Sequence, residues 1–156
     1  MNDLSATPRV QTGTPLLTAT DLVVGYPEGR YYTKPIDGAS LTIGAREVVG
    51  LIGDAGSGKS TLALALMGLV RGTGKILGGS IEFGGRDILT MTPDDQRAIR
   101  GKEISAIVQN PRAALNPMLK IGAQIGNAYR AHNDVTGAEA RAQAVEMLKL
   151  VGINDP

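Results

Sequence analysis

Cysteine and tryptophan are both absent from this 156-residue chain. Without cysteine no disulfide and no thiolate metal site can form, a usage that suits a reducing cytosol. Aromatic residues of every kind amount to 3%, so stacking chemistry is confined to a few positions. A surplus of either charge is also missing: 16 basic residues stand against 15 acidic ones, a formal net charge of +1. That balance creates no global field for nucleic acid, an anionic membrane or an acidic substrate, so any anion site must be local and no nucleic-acid partner is expected. Long hydrophobic runs are lacking too. The longest, Leu62 to Val70, is far too short to cross a bilayer, and the opening MNDLSATPRVQTGTP has no basic-then-apolar export pattern.

What is present is enough for one packed domain: 42% of the residues are hydrophobic. Residues 1–16 mix Ser, Thr, Pro and Gly and read as a flexible leader, leaving 17–156 as the structured part. LLTATDLVVGY and GASLTIG have strand composition, and EVVGLIG and EISAIVQ are continuous apolar runs of the kind a parallel sheet buries on both faces. SIEF and RDIL flank Gly84-Gly85, a pair suited to a tight hairpin. LALALMGLV predicts a helix buried on most sides and stopping at Gly72. Thr92-Pro93-Asp94-Asp95 opens a helix over about Pro93 to Arg100. Ile121 to His132 is another, and Thr136-Gly137-Ala138-Glu139 is a capping box for the last, whose Ala144, Val145, Leu148 and Val151 share a face.

The densest chemistry lies in GDAGSGKST, residues 53–61, between a predicted strand and a predicted helix. Gly53, Gly58, Lys59 and Ser60 satisfy G-x-x-x-x-G-K-[ST], the phosphate-binding loop. Glycines let successive amides turn inward toward phosphate oxygens and keep side chains out of the way, so Gly53, Asp54, Ala55, Gly56, Ser57 and Gly58 form a nest. Lys59, Ser60 and Thr61 add the free amides of a helix start. Lys59 supplies a mobile cation for the β and γ phosphates of a triphosphate, and the Ser60 hydroxyl is a hard oxygen ligand for Mg²⁺.

Beyond this motif, the order of an aromatic before the core, GDAGSGKST, a hairpin and a strand ending in Gln109 resembles the ATP-binding subunits of ABC transporters. GGSIEFGGRDIL, RGKEISAIVQNPRAALNP and AEARAQAVEMLKLVGI are similar to the oligopeptide, dipeptide and nickel importer branch. The resemblance implies an α/β P-loop NTPase fold, the ABC nucleotide-binding domain in incomplete form. It would comprise an antiparallel β-subdomain, part of a parallel core sheet, and the start of a helical subdomain near residue 113. It also implies ATP and Mg²⁺ as ligands, with Tyr26 stacking on adenine and Gln109 reaching Mg²⁺ and the attacking water. Tyr31 and Tyr32 compete for the first role, and a plain core or surface tyrosine is an equal reading of Tyr26. Asn110 to Pro117 resembles the segment that receives a permease's coupling helix.

The implied partners are transmembrane permease subunits, a second ATP-binding subunit as homo- or heterodimer, and indirectly a solute-binding protein. The implied place is the cytoplasmic face of the cell membrane. The sequence departs from the branch at Asp54 and Ala55, which spare the loop amides, and at Val108 and Asn110 beside the glutamine. No LSGGQ signature, acidic strand with a catalytic glutamate, or switch histidine follows, and His132, the one histidine, reads as an ordinary surface residue. ATPase activity is therefore expected of the complete subunit, with Lys59 and Gln109 in its chemistry, and not of these residues alone, whose apolar core strands would lie exposed. Two alternatives stay open: a truncated non-catalytic module that binds nucleotide or permease, and a soluble P-loop NTPase outside transport.

Overall fold

Alternating apolar and polar residues between Leu17 and Ile43 fold as two long antiparallel strands, β1 (Pro15–Glu28) and β2 (Tyr31–Gly44). The computed structural model describes residues 15–155. The expected leader thus lies outside the described residues except for Pro15 and Leu16, which already belong to β1. The described chain forms two compact units, one ending at Arg97 and the other beginning at Ala98.

In the first unit β3 (Lys75–Phe83) pairs with the other side of β1, and β4 (Arg86–Asp87) completes a sheet of order β2-β1-β3-β4. The expected hairpin at Gly84-Gly85 is present, both glycines having positive φ, 56° and 76°. Burial along β1 changes parity partway: Leu17 and Ala19 are buried, then Leu22 and Val24. The register shifts between Ala19 and Leu22, where Asp21 takes φ 47° and donates its amide to Ser40 Oγ at 2.9 Å. An extra residue at a bulge has this effect, since strand side chains alternate with period two. Ile36, Ile81, Phe83 and Ile88 complete the sheet's buried set.

Helix α1 (Lys59–Ala65) follows the glycine-rich loop and buries Leu62 and Ala65. It ends well before Gly72. Gly68, at φ 65°, donates its amide to Ala65 O at 2.8 Å while Leu69 donates to Leu64 O at 3.0 Å, the paired bonds of a glycine-terminated helix. The helix is also less enclosed than its composition predicts, with Ala63 and Leu69 exposed. α2 (Pro93–Ile99) begins as expected, the Asp95 amide donating to Thr92 Oγ1 at 3.2 Å.

The two apolar runs expected as parallel core strands do not form strands. Residues 47–54 have no regular structure, and Val48 and Ile52 are 94% and 90% exposed. In the second unit EISAIVQ contributes only a single bridge from Ile104 to Arg100, and Ile107 is 95% exposed. A parallel strand is stable when neighbours pair both edges and helices cover both faces, and among the described residues neither run has such neighbours.

The rest of the second unit contains a 3₁₀ turn (Pro111–Ala114), α3 (Ile121–Arg130) and α4 (Gly137–Leu150), so the helical part expected from about residue 113 lies within it. Thr136 and Glu139 make the predicted capping box in full. α3 and α4 approach closely where Gly126 faces Ala140: a Cβ at Gly126 would stand 3.5 Å from Ala140 O. Of the predicted apolar face of α4, Ala144 is buried and Val145 and Leu148 are half-buried, whereas Val151 is exposed.

Candidate functional site

The loop 53–61 is held from inside by its own lysine. Lys59 Nζ donates to the carbonyl oxygens of Gly53 at 2.7 Å and Asp54 at 2.5 Å, and lies 3.3 Å from Ser57 Oγ. The Ser57 amide closes the turn onto Asp54 O at 3.2 Å, and the Leu62 amide starts the helical ladder on Gly58 O at 2.8 Å. The other eight amides of the loop, those of Gly53 to Gly56 and of Gly58 to Thr61, make no hydrogen bond with any described residue. Amides at the start of a helix and on an exposed loop have no intrachain partner and are taken by water or by a ligand. Eight unengaged main-chain donors thus lie on one short glycine-rich loop with the Lys59 cation beside them.

Gly58 fixes where that curve sits. Its φ is +91°, and a Cβ there would lie 2.6 Å from Pro35 O and 2.9 Å from Ile36 Cδ1, so the loop presses directly on β2. No side chain could be accommodated without displacing the sheet. Asp54, Ala55 and Gly56 are exposed on the other side of the turn. The Ser60 hydroxyl is exposed and makes no hydrogen bond with described residues, so it is available as a metal ligand. Among the described residues no three His, Cys, Asp or Glu side chains converge as a metal cage.

Tyr26 is brought to the same end of the first unit. With Ser60, Thr61, Leu64, Val70 and Arg71 it lines a cleft of about 100 Å³. Its half-buried ring is wedged against Gly74, where a Cβ would come within 2.7 Å of Cε1. The competing Tyr31 is 81% exposed, and Tyr32 lies over Gly25, its Cδ1 at 3.0 Å from where a Cβ would be. Neither lines the cleft beside the loop.

Gln109 belongs to the second unit, exposed on an irregular segment directly before the 3₁₀ turn. The LNP segment after that turn is organised by a residue that motif reading passes over. Gln124 accepts from the Asn116 amide at 2.8 Å and donates to Asn116 O at 3.0 Å and Leu119 O at 2.9 Å. Asn116 Oδ1 in turn accepts from the Met118 amide at 2.9 Å. This clamp displays Leu115, Met118 and Leu119 to solvent. A glutamine on the first turn of an amphipathic helix, eight residues after an asparagine in a loop, is a weak sequence signal. His132 also differs from its reading: it is half-buried, packed over Gly101, whose added Cβ would stand 2.8 Å from Nε2. No helix among the described residues is long and apolar enough to cross a membrane.

Comparison with known proteins shows the family and the fold. The chain is 40% identical over 141 residues to a Brucella abortus protein provisionally named a peptide import ATP-binding protein, covering 90% of this chain and 42% of that protein. It is 43% identical over 120 residues to the oligopeptide transport ATP-binding protein AppD of Bacillus subtilis, covering 76% of this chain and 37% of AppD. It is 36% identical over 141 residues to the dipeptide transport ATP-binding protein DppD of Haemophilus influenzae, with 90% and 43% covered. The chain thus spans less than half the length of each of these relatives. Among solved structures, the dimeric bacterial ABC transporter cassette MJ0796 superposes with a TM-score of 0.71 over 89% of this chain and 58% of that one. At 21% identity that likeness speaks for the fold alone. Residues 36–156 match the family described as ABC transporter, and the chain is a member of that family, with the fold of its ATP-binding cassette in part.

Proposed function

We propose that this chain binds ATP through residues 53–61 and belongs to a subunit that energises the uptake of peptides or a similar small solute. The observation that carries the reading is the row of unengaged amides from Gly53 to Gly56 and from Gly58 to Thr61, with Lys59 tethered across the loop. Tetrahedral phosphate oxygens need several donors close together, and the unengaged amides of this loop support that role. Lys59 exchanges its carbonyl partners for β- and γ-phosphate oxygens, and the Ser60 hydroxyl joins the coordination of Mg²⁺, which supplies charge neutralisation when bound. Tyr26 offers an aromatic face to the base.

The names of the relatives support transport of peptides as the setting. In that setting Gln109 would reach Mg²⁺ and the attacking water in the complete subunit, and the residues around Asn110–Pro117 would meet a transmembrane permease at the cytoplasmic face of the membrane. A second ATP-binding subunit closes over the nucleotide, and hydrolysis, with Lys59 and Gln109 taking part, belongs to that assembly. Calorimetric titration of the chain with Mg-ATP tests the reading. Saturable binding that is lost in Lys59→Ala is expected, and heats unchanged by that substitution would refute it.

A further inference from the structure

The cleft beside the phosphate loop has one charged member with no assigned task. Arg71 lines it with Tyr26, Ser60, Thr61, Leu64 and Val70, yet its guanidinium has no ion-pair or hydrogen-bond partner among the described residues. Its main chain, by contrast, is fixed: Arg71 O accepts from the Gly74 amide at 3.2 Å, and Gly72 turns the chain at φ 58°. The same turn delivers Gly74 to the Tyr26 ring, so the arginine and the aromatic wall are set by one short segment.

The cleft's dimensions limit what it can take. At about 100 Å³ it is well below the roughly 300 Å³ at which pockets begin to enclose a whole small molecule, so only one end of a nucleotide fits. Tyr26, Leu64 and Val70 make its walls largely apolar, which suits a flat base rather than a phosphate. A guanidinium is planar and weakly hydrated. It can lie on an aromatic face or donate to ring nitrogens and ribose hydroxyls.

We infer that Arg71 is a nucleotide-contacting residue that recognises the base-and-ribose end of a purine nucleotide, sharing that subsite with Tyr26. The assignment rests on the proposed ATP site. It implies that the two ends of the nucleotide are held separately: the phosphates by residues 53–61, the base by a cleft whose rim carries a second, independent cation.

The test compares two ligands on the full chain, Mg-ATP and Mg-tripolyphosphate, the latter carrying the phosphates without base or ribose. Arg71→Ala is expected to weaken Mg-ATP about five-fold while leaving tripolyphosphate unchanged. Gly74→Ala, which displaces the Tyr26 ring, should show the same selective loss. Circular dichroism verifies that each variant is folded, and Arg71→Ala retains the main-chain bond of the turn. An Arg71→Ala variant that binds Mg-ATP as tightly as the parent, or that loses both ligands equally, would overturn the inference. Lys59→Ala separates this from the underlying reading: it should weaken both ligands, and its failure to weaken tripolyphosphate would overturn the phosphate loop itself.

Discussion

Lys59 reaches back across its own loop to Gly53, the ammonium 2.7 Å from the carbonyl oxygen that begins the motif. The bond joins the first and seventh residues of the loop, so the cation proposed to meet phosphate also ties the loop to itself. Replacing it should have two separable effects. Lys59→Ala is expected to weaken Mg-ATP at least about tenfold, as loss of a charge-assisted contact does, and to speed exchange of the Ser57 amide, which donates to Asp54 O, without nucleotide. Hydrogen exchange followed by NMR reads the second effect. Unchanged exchange of that amide would mean the tether has no structural role.

Two glycines of the loop share a left-handed backbone but differ in their surroundings. Gly56, at φ +81°, has nothing within 4 Å of an added Cβ, whereas Gly58, at +91°, would meet Pro35 O at 2.6 Å. Gly56→Ala should therefore cost about 1 kcal/mol from backbone conformation alone. Gly58→Ala should cost about 2 kcal/mol or more, because the carbonyl of β2 must also move. Urea unfolding monitored by circular dichroism measures the difference. Equal midpoints for the two variants would show that the loop does not press on the sheet as described.

Glu139 makes the start of α4 sensitive to acid. Hydrogen bonds from the Thr136 main-chain amide, and then from its hydroxyl, hold the carboxyl below its ordinary value. A carboxylate lowered in the folded state contributes stability above its unfolded pKa and loses it as pH falls through the folded one. Helicity of α4 is thus expected to be constant near neutrality and to decline on acidification below the ordinary glutamate range. Glu139→Ala should flatten that decline, as read by ¹³Cα shifts of Ala140 and Ala144 against pH. An identical acid profile in the variant would contradict the assignment.

Gln124 ties the LNP segment to the helix behind it through three bonds. Gln124→Ala removes all three and should cost about 1 kcal/mol locally, since the groups are exposed and water replaces the partners. The expected readout is faster exchange of the Asn116 amide with α4 unaffected. If this segment meets a permease, the same variant should weaken that contact while nucleotide binding persists.

The elements legible in sequence are those set by short-range rules. The Gly84-Gly85 hairpin and the Thr136–Glu139 capping box each depend on a few adjacent residues, and both are present; the glycine-rich loop leads into a helix at Lys59, without the strand expected before it. EVVGLIG and EISAIVQ have the composition of buried strands, but burial requires partners that composition does not supply, and both runs remain unpaired. The end of α1 is a closer contest: Gly68 and Gly72 both suit a helix terminus, and the bond from Leu69 to Leu64 O favours the first. Arg71 and Gln124 are invisible to motif reading because their significance lies in what tertiary structure puts beside them.

The central claim is that main-chain donors of the loop, rather than side chains elsewhere, hold the phosphates. Titrating Mg-ATP into ¹⁵N-labelled chain while following amide resonances tests it most directly. The amides of Gly56, Gly58, Lys59, Ser60 and Thr61 should shift saturably and together, with the same amides responding to tripolyphosphate. Saturable shifts confined to other residues, with these five unmoved, would contradict the account.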